Sequence, residues 1–392
     1  MSGSKSHPSR VAAHISRLPR SGIRDFFELV NNMDGVISLG IGEPDFVTPW
    51  SIREATIYAL EKGHTSYTSN LGLPALRKAC CNYVEAEFGV RYRPENECII
   101  TVGVSEALDL IMRAVLNPGD EVLYHEPCYV AYAPTVAMAH GVPVPVQTKE
   151  EHRFALKAAD LEEKIGARSK VLLLNFPNNP TGANLSAADK EEIAALAVKH
   201  DLLVITDEIY AELTYGERSP TVAAWPGMKE RTVFLHGFSK AYAMTGYRIG
   251  YACGPAELIE AMMKVHQYSM LCASGFAQEA AVEAFKGARK PMLAMREEYR
   301  QRRNVIVKRL NDMGLPCVMP DGAFYVFPNI RRTGLTAKEF ATRLLNEKRV
   351  AVVPGTAFGG QGEGYVRCAY AASLADIETA MTRIAEFLRE IA

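Results

Sequence analysis

Apolar residues recur along this chain in short, nearly unbroken runs. Between the runs they return every three or four positions. The runs CIITV (98–102), VLLLNF (171–176), LLVIT (202–206) and TVFL (232–235) are apolar at successive positions, which predicts strands buried on both faces. SEALDLIMRAV (105–115) has the spacing of an amphipathic helix. Strands that alternate with helices predict βαβ units and a parallel sheet, an α/β fold. Each run ends in polar or glycine-rich residues: Gly103, the loop after Phe176, Asp207, and HGFSK (236–240). Open α/β sheets bind ligands at that edge.

The texture changes near residue 290. REEYRQRRNVIVKRL (296–310) predicts a long charged helix, and AFYVFP (323–328) a strand. KEFATRLLNEK (338–348) predicts a helix, VAVVPG (350–355) and YVRCAYA (365–371) two further strands, and DIETAMTRIAEFLREI (376–391) a closing helix. These mixed elements predict a smaller α+β domain over 291–392. A large domain over 48–290 would then separate it from an N-terminal arm, 1–47, that contributes to the small domain.

Composition narrows the function classes. With 392 residues, 48% hydrophobic and 23% charged, the chain can bury a large core. The 44 Lys and Arg balance 45 Asp and Glu, so no basic surplus points to nucleic acid or an anionic membrane. No run of about 20 apolar residues predicts a membrane span. Eight cysteines without a CxxC pair are expected to be free thiols in a reducing cytosol. The polar leader MSGSKSHPSR lacks the apolar core of a secretory signal, so a cytoplasmic location is expected. The chain has no GxxxxGK[ST], HExxH or GxSxG, and Asp45 stands where a dinucleotide loop needs its third glycine in GIGEPD (40–45).

Several residues suit a single chemistry. Lys240 follows an apolar strand, where desolvation lowers its pKa and favours the neutral amine that Schiff-base formation requires; the plain alternative is a solvated lysine. Arg248 suits a phosphate, or else a surface salt bridge. Asp207 ends a buried strand, where it could pair with a protonated pyridine nitrogen or simply cap the next helix. Tyr210 could reach the same ring, or pack in the core. Asn179 lies in the rigid loop NFPNNPTG (175–182), as a ligand donor or a turn residue. Gly103, Val104 and Ser105 open a helix, forming an anion nest or an ordinary cap. Tyr129 offers a stacking plate or a core aromatic. Arg367, in an apolar strand, needs an anion, either a protein carboxylate or a substrate carboxylate. Together these are the parts of a pyridoxal phosphate site, in which the cofactor does the electronic work.

The sequence resembles the class I/II, fold-type I pyridoxal-phosphate aminotransferases, and within them the prokaryotic aspartate, aromatic and acetyl-diaminopimelate branch. The resemblance runs from SGIRDF (21–26) to the C-terminus. It rests on SLGIGEPDF (38–46), YTSNLG (67–72), VGVSEAL (102–108), NFPNNPTG (175–182), DEIY (207–210), GFSKAYAMTGYRIGY (237–251), DGAFYVFP (321–328), PGTAFG (354–359) and YVRCAYA (365–371).

The resemblance implies a large domain with a mostly parallel sheet and helices on both faces, a ping-pong transfer of the amino group of an L-amino acid, and 2-oxoglutarate as acceptor. The donor is expected to be aspartate, an aromatic or a related amino acid. Lys240 matches the Schiff-base lysine and proton shuttle, Asp207 the partner of the pyridine nitrogen, Tyr210 and Asn179 the contacts to the ring oxygen, and Tyr129 the stacking aromatic. Val104, Ser105 and Arg248 match phosphate contacts, and Tyr67 matches a tyrosine that reaches the neighbouring subunit's phosphate, which implies a homodimer. Gly42 and Arg367 match the receivers of the substrate α-carboxylate.

Three positions depart from the family. Ser105 replaces a lysine that helps some prokaryotic aspartate aminotransferases bind the distal carboxylate. Tyr247 replaces a frequent tryptophan. His236 precedes GFSK, and no hydroxyl lies three residues before Lys240, which leaves Ser239 as a candidate for the phosphate. Segment 15–30, with Ile23, is expected to act as a lid. The alternatives are β-elimination by a C–S lyase on the same fold and a non-catalytic binding module.

Overall fold

The computed structural model describes residues 10–19 and 33–391. Most of the expected lid, including Ile23, lies outside these residues. Strands are numbered in chain order. β1 is Ile37–Ser38, β2 Cys98–Thr101, β3 Glu121–Glu126, β4 Val142–Gln147, β5 Ser169–Asn175, β6 Leu203–Asp207, β7 Thr232–Gly237 and β8 Gly250–Cys253. A seven-stranded sheet has the order β2-β8-β7-β6-β5-β3-β4. All pairs are parallel except those of β8, which is antiparallel to both β2 and β7.

Successive side chains of a strand point to opposite faces. Val171, Leu173, Ile205, Val233 and Leu235 enter one apolar cluster, while Leu172, Leu174 and Val204 enter another on the opposite face. Both faces are therefore buried, as the unbroken apolar runs require. The helices α1 (Pro74–Phe88) and α2 (Gly103–Val115) pack on opposite faces: Cys80, Val84 and Phe88 of α1 join Phe234 and Tyr251, and Leu108, Ile111 and Met112 of α2 join Val233 and Leu235.

A second core gathers α3 (Arg289–Asp312), α4 (Ala337–Lys348) and α5 (Leu374–Glu390) around the short strands β9 (Tyr325–Val326), β10 (Val350–Ala351) and β12 (Val366–Ala369), while Val353 of β11 (Val353–Pro354) joins Leu172, Leu174 and Val204 on the large sheet. Thr336 and Glu339 form a capping box that starts α4, and the Ser373 side chain accepts from Asp376 N to start α5. β1 pairs in parallel with β10, which places residues 37–39 in this core.

Two expectations need correction. VAVVPG is not one strand: β10 pairs with β1, and β11 pairs with β12 in a separate three-stranded antiparallel sheet. The chain changes sheets at Val352, and because all these residues are buried the apolar run carries no mark of the switch. AFYVFP is a strand only at Tyr325–Val326, since Ala323 takes a left-handed φ of 59° that extended pairing does not allow. Among the described residues no helix is long and apolar enough to cross a membrane.

Candidate active site

A cavity of about 420 Å³ opens at the C-terminal ends of β5, β6 and β7. It is lined by Gly42, Val104, Ser105, Tyr129, Asn179, Asp207, Tyr210, Lys240, Arg248 and Arg367, which are all the residues that the resemblance assigned to cofactor or substrate except Tyr67. Tyr67 is 83% exposed and lies outside its own chain's cavity.

Lys240 follows β7 by three residues, and its Nζ donates to Gly42 O at 2.6 Å. Burial lowers its pKa to about 8. The glycine at 42 makes room for the Tyr325 hydroxyl, which a Cβ there would meet at 2.8 Å. Asp207 ends β6, where its carboxylate accepts from the Tyr132 hydroxyl at 2.8 Å and from Ile209 N at 3.2 Å. Burial pushes its pKa up to about 6, against the pull of those hydrogen bonds. The bond from Ile209 closes a turn rather than capping a helix, and among the described residues no cation pairs with Asp207.

The N-terminus of α2 meets Arg248 on the cavity wall. A Cβ on Gly103 would lie 2.8 Å from the Arg248 guanidinium, and Gly103 also needs its φ of +77°. Gly237 stands three residues before Lys240, where a Cβ would press Val104 Cγ2 at 3.0 Å. The helix end thus takes the space that a side chain would need, which explains the missing hydroxyl. Ser239 and Thr245 bring hydroxyls to the cavity instead, and Thr245 Oγ1 donates to Glu43.

Arg367 on β12 is 1% exposed. It donates to Asn179 Oδ1 at 3.0 Å and to Gly40 O at 2.5 Å, and it stacks on Tyr325 and Phe358. Its partners are neutral oxygens, and its buried Nε has none. The protein carboxylate considered as its plain explanation is not present among the described residues, and Arg248 likewise has no salt bridge there. Three cations therefore face one cavity without an ion pair, beside a buried acid without a cation. An aldehyde-bearing pyridine phosphate fits this donor set: an amine, an acid for a ring cation, and an arginine with a helix N-terminus for a phosphate.

Sequence reasoning missed two residues. Tyr132 holds Asp207, and its only signal was a position three residues after Tyr129 at a helix start. Tyr325 meets the Tyr210 hydroxyl at 2.9 Å beneath Arg367. It lay within the quoted motif DGAFYVFP, to which no role had been assigned.

The family described as aminotransferase class I and II matches residues 34–384. The chain is 50% identical to the putative aminotransferase YugH of Bacillus subtilis, over 97% of this chain and 99% of the relative. It is 46% identical to an aspartate aminotransferase of Pyrococcus abyssi, over 94% and 96%. Its fold is similar to the crystal structure of an aromatic aminotransferase from Pyrococcus horikoshii, with a TM-score of 0.90, 46% identity and coverage of 94% and 99%. These relatives favour amino-group transfer over the lyase and binding-module alternatives. The chain belongs to the class I and II aminotransferases and is a pyridoxal-phosphate-dependent transaminase of fold type I, acting on small amino and 2-oxo acids.

Proposed function

We propose that this cavity carries out ping-pong transamination between an L-amino acid, either aspartate, an aromatic or a related donor, and 2-oxoglutarate. The observation that carries the reading is the set of unpaired charges: Lys240, Arg248 and Arg367 without carboxylates, and Asp207 without a cation.

Lys240 would hold the cofactor aldehyde, Asp207 the ring nitrogen, Tyr210 and Asn179 the ring oxygen, and Tyr129 the ring face. Val104, Ser105 and Arg248 would hold the phosphate. When bound, the cofactor supplies an electron sink for the donor's Cα–H bond. The chain's own residues do the rest. Arg367, with Gly42 beside it, orients the α-carboxylate, and its neutral partners leave its charge for that anion. Lys240, brought by burial to about 8, has a neutral amine in reach near neutral pH, and it moves the Cα proton as general base and then acid. Tyr132 holds Asp207 in place.

Further parts of the reading rest on the surface and the cores. The exposed Tyr67, with exposed Trp50, Ile57, Tyr58 and Leu60 nearby in sequence, supports a homodimer that shares sites. The separate core around α3, α4 and α5 supports a division into 48–290 and 291–392, with 1–47 as arm. Eight free thiols support a reducing, cytoplasmic location.

The test is the cofactor's visible band in the purified holoenzyme, followed as amino acids are added without acceptor. Aspartate or an aromatic donor is expected to bleach the band, and 2-oxoglutarate to restore it. Lys240→Arg is expected to abolish turnover, and near-wild-type rates in that variant would overturn the reading.

A further inference from the structure

Away from the cavity, three segments bring thiols together. Cys81 comes from α1, Cys98 opens β2 and Cys253 closes β8, and their Sγ atoms all lie within 4.8 Å of one another. All three are buried, and Cys80 adds a fourth buried thiol that hydrogen-bonds Cys98. Cys98 and Cys253 are register partners. Gly254 N donates to Glu97 O in the adjoining pair, so the two cysteines form a non-hydrogen-bonded pair, where side chains stand closest.

Buried cysteines often act only as small apolar residues. Here a second observation points to a ligand. The Tyr92 and Tyr251 hydroxyls are buried without a hydrogen-bond partner. Both rings belong to the same buried cluster as Cys80, Cys81, Cys98 and Cys253, and Tyr251 lies two residues before Cys253 on the same face of β8. Two idle donors beside a thiol cluster suit sulfurs that carry negative charge, as metal-bound thiolates do.

We propose that Cys81, Cys98 and Cys253 bind one monovalent copper ion in trigonal thiolate coordination. An ion about 2.3 Å from three sulfurs holds them about 4 Å apart, within the spread they already have. Structural zinc takes four ligands, but the Cys80 sulfur does not lie within 4.8 Å of all three others and no histidine or carboxylate joins the group among the described residues, so three sulfurs alone favour Cu(I). As the ion enters, Cys81, Cys98 and Cys253 each release one proton to solvent, and no electron is transferred.

The ion would brace the active site from a distance. β2 is an edge strand paired only to β8. At the far end of that pair Thr101 faces Gly250, leading to Gly103 and Arg248 in the cavity, roughly 10 Å away along the strands.

The experiment exposes holoenzyme to Cu(I) without oxygen, in the presence of a competing Cu(I) chelator, and counts copper per chain after desalting. The wild type and Cys317→Ser should retain about one equivalent, with only sulfur neighbours by X-ray absorption. Cys98→Ser and Cys98→Ala should retain at least about tenfold less, and copper should raise the melting midpoint of the wild type and Cys317→Ser but not of the Cys98 variants. Retention equal to the wild type by Cys98→Ser or Cys253→Ser would overturn the proposal, as would preferential uptake of zinc. So would a lack of copper in the full chain refolded with its cofactor and Cu(I), because refolding removes any barrier from burial.

Discussion

The two faces of the central sheet bury charge in opposite ways. In the cavity, Asp207, Lys240 and Arg367 have hydroxyl, amide or carbonyl partners and no opposite charge at ion-pair distance among the described residues. His236 lies one residue past Leu235, the register partner of Asp207, and so faces the other side. There its Nε2 meets the Glu212 carboxylate at 3.0 Å, Tyr83 donates to the same carboxylate at 2.7 Å, and Arg218 lies 3.7 Å away. Arg218 and Arg289 both pair with Glu87. Burial alone would raise Glu212, but His236 and Arg218 hold it below its ordinary value, whereas Asp207 rises to about 6. Buried charge is common to both faces. The missing counter-charge is what distinguishes a place built for a ligand.

Exchanging each acid for its amide should separate the two roles. Asp207→Asn should lose about 10²–10³-fold in turnover, the scale of removing one preorganised electrostatic partner. Its apoenzyme should be no less stable at pH 7. The folded pKa of Asp207 is raised, so its contribution is full at pH below its ordinary 3.8 and is lost as pH rises through about 6; the amide is spared that loss. Glu212→Gln should do the reverse. Breaking the buried pair should cost about 3 kcal/mol in stability, while turnover per folded site stays at the wild-type level. Denaturant melts of the apoproteins and steady-state rates of the holoproteins check both. If Glu212→Gln lost turnover without losing stability, the contrast between the faces would collapse.

The same contrast explains what the sequence disclosed. The central strands were legible because burial on both faces leaves an apolar run that depends on nothing distant, as at 171–174. Asp207 was legible because it directly follows such a run, and Lys240 because it comes five residues after one, in the polar loop at its end. The switch at Val352 was hidden, since every residue around it is apolar whichever sheet it joins. Glu212 and His236 are 24 residues apart, and only the fold makes them partners. Cys81, Cys98 and Cys253 come from three elements with no local spacing to announce them. Tyr132 was passed over because a tyrosine near Tyr129 is also what a core would use.

Tyr132 offers a finer cut through the cavity. Tyr132→Phe keeps the ring and removes only the hydroxyl that donates to Asp207. A hydrogen bond to a charged group contributes about 1.5 kcal/mol or more, so turnover should fall about tenfold. As a positioning residue, Tyr132 should also shift the acid limb of the pH profile upward, because its hydrogen bond lowers Asp207. A lower rate with an unmoved limb would mean that the ring, and not the hydroxyl, matters.

The smallest expected effect concerns Lys240 alone. Its ordinary pKa of 10.5 falls to about 8 on burial, so the apoenzyme amine is mostly protonated at pH 7 and half neutral at pH 8. Only the neutral amine attacks an aldehyde. The initial rate at which apoenzyme captures pyridoxal phosphate should therefore rise about fivefold from pH 7 to pH 8 and level off above that. Linkage gives an independent check with a fixed sign. Between 8 and 10.5 the unfolded chain holds this proton and the folded chain does not, so apoenzyme stability should rise with pH across that window. Lys240→Met should flatten this part of the stability curve and leave the rest in place. A capture rate that kept climbing to pH 10 would show that the amine is as solvated as any surface lysine, and the cavity would lose its claim to differ from the paired face.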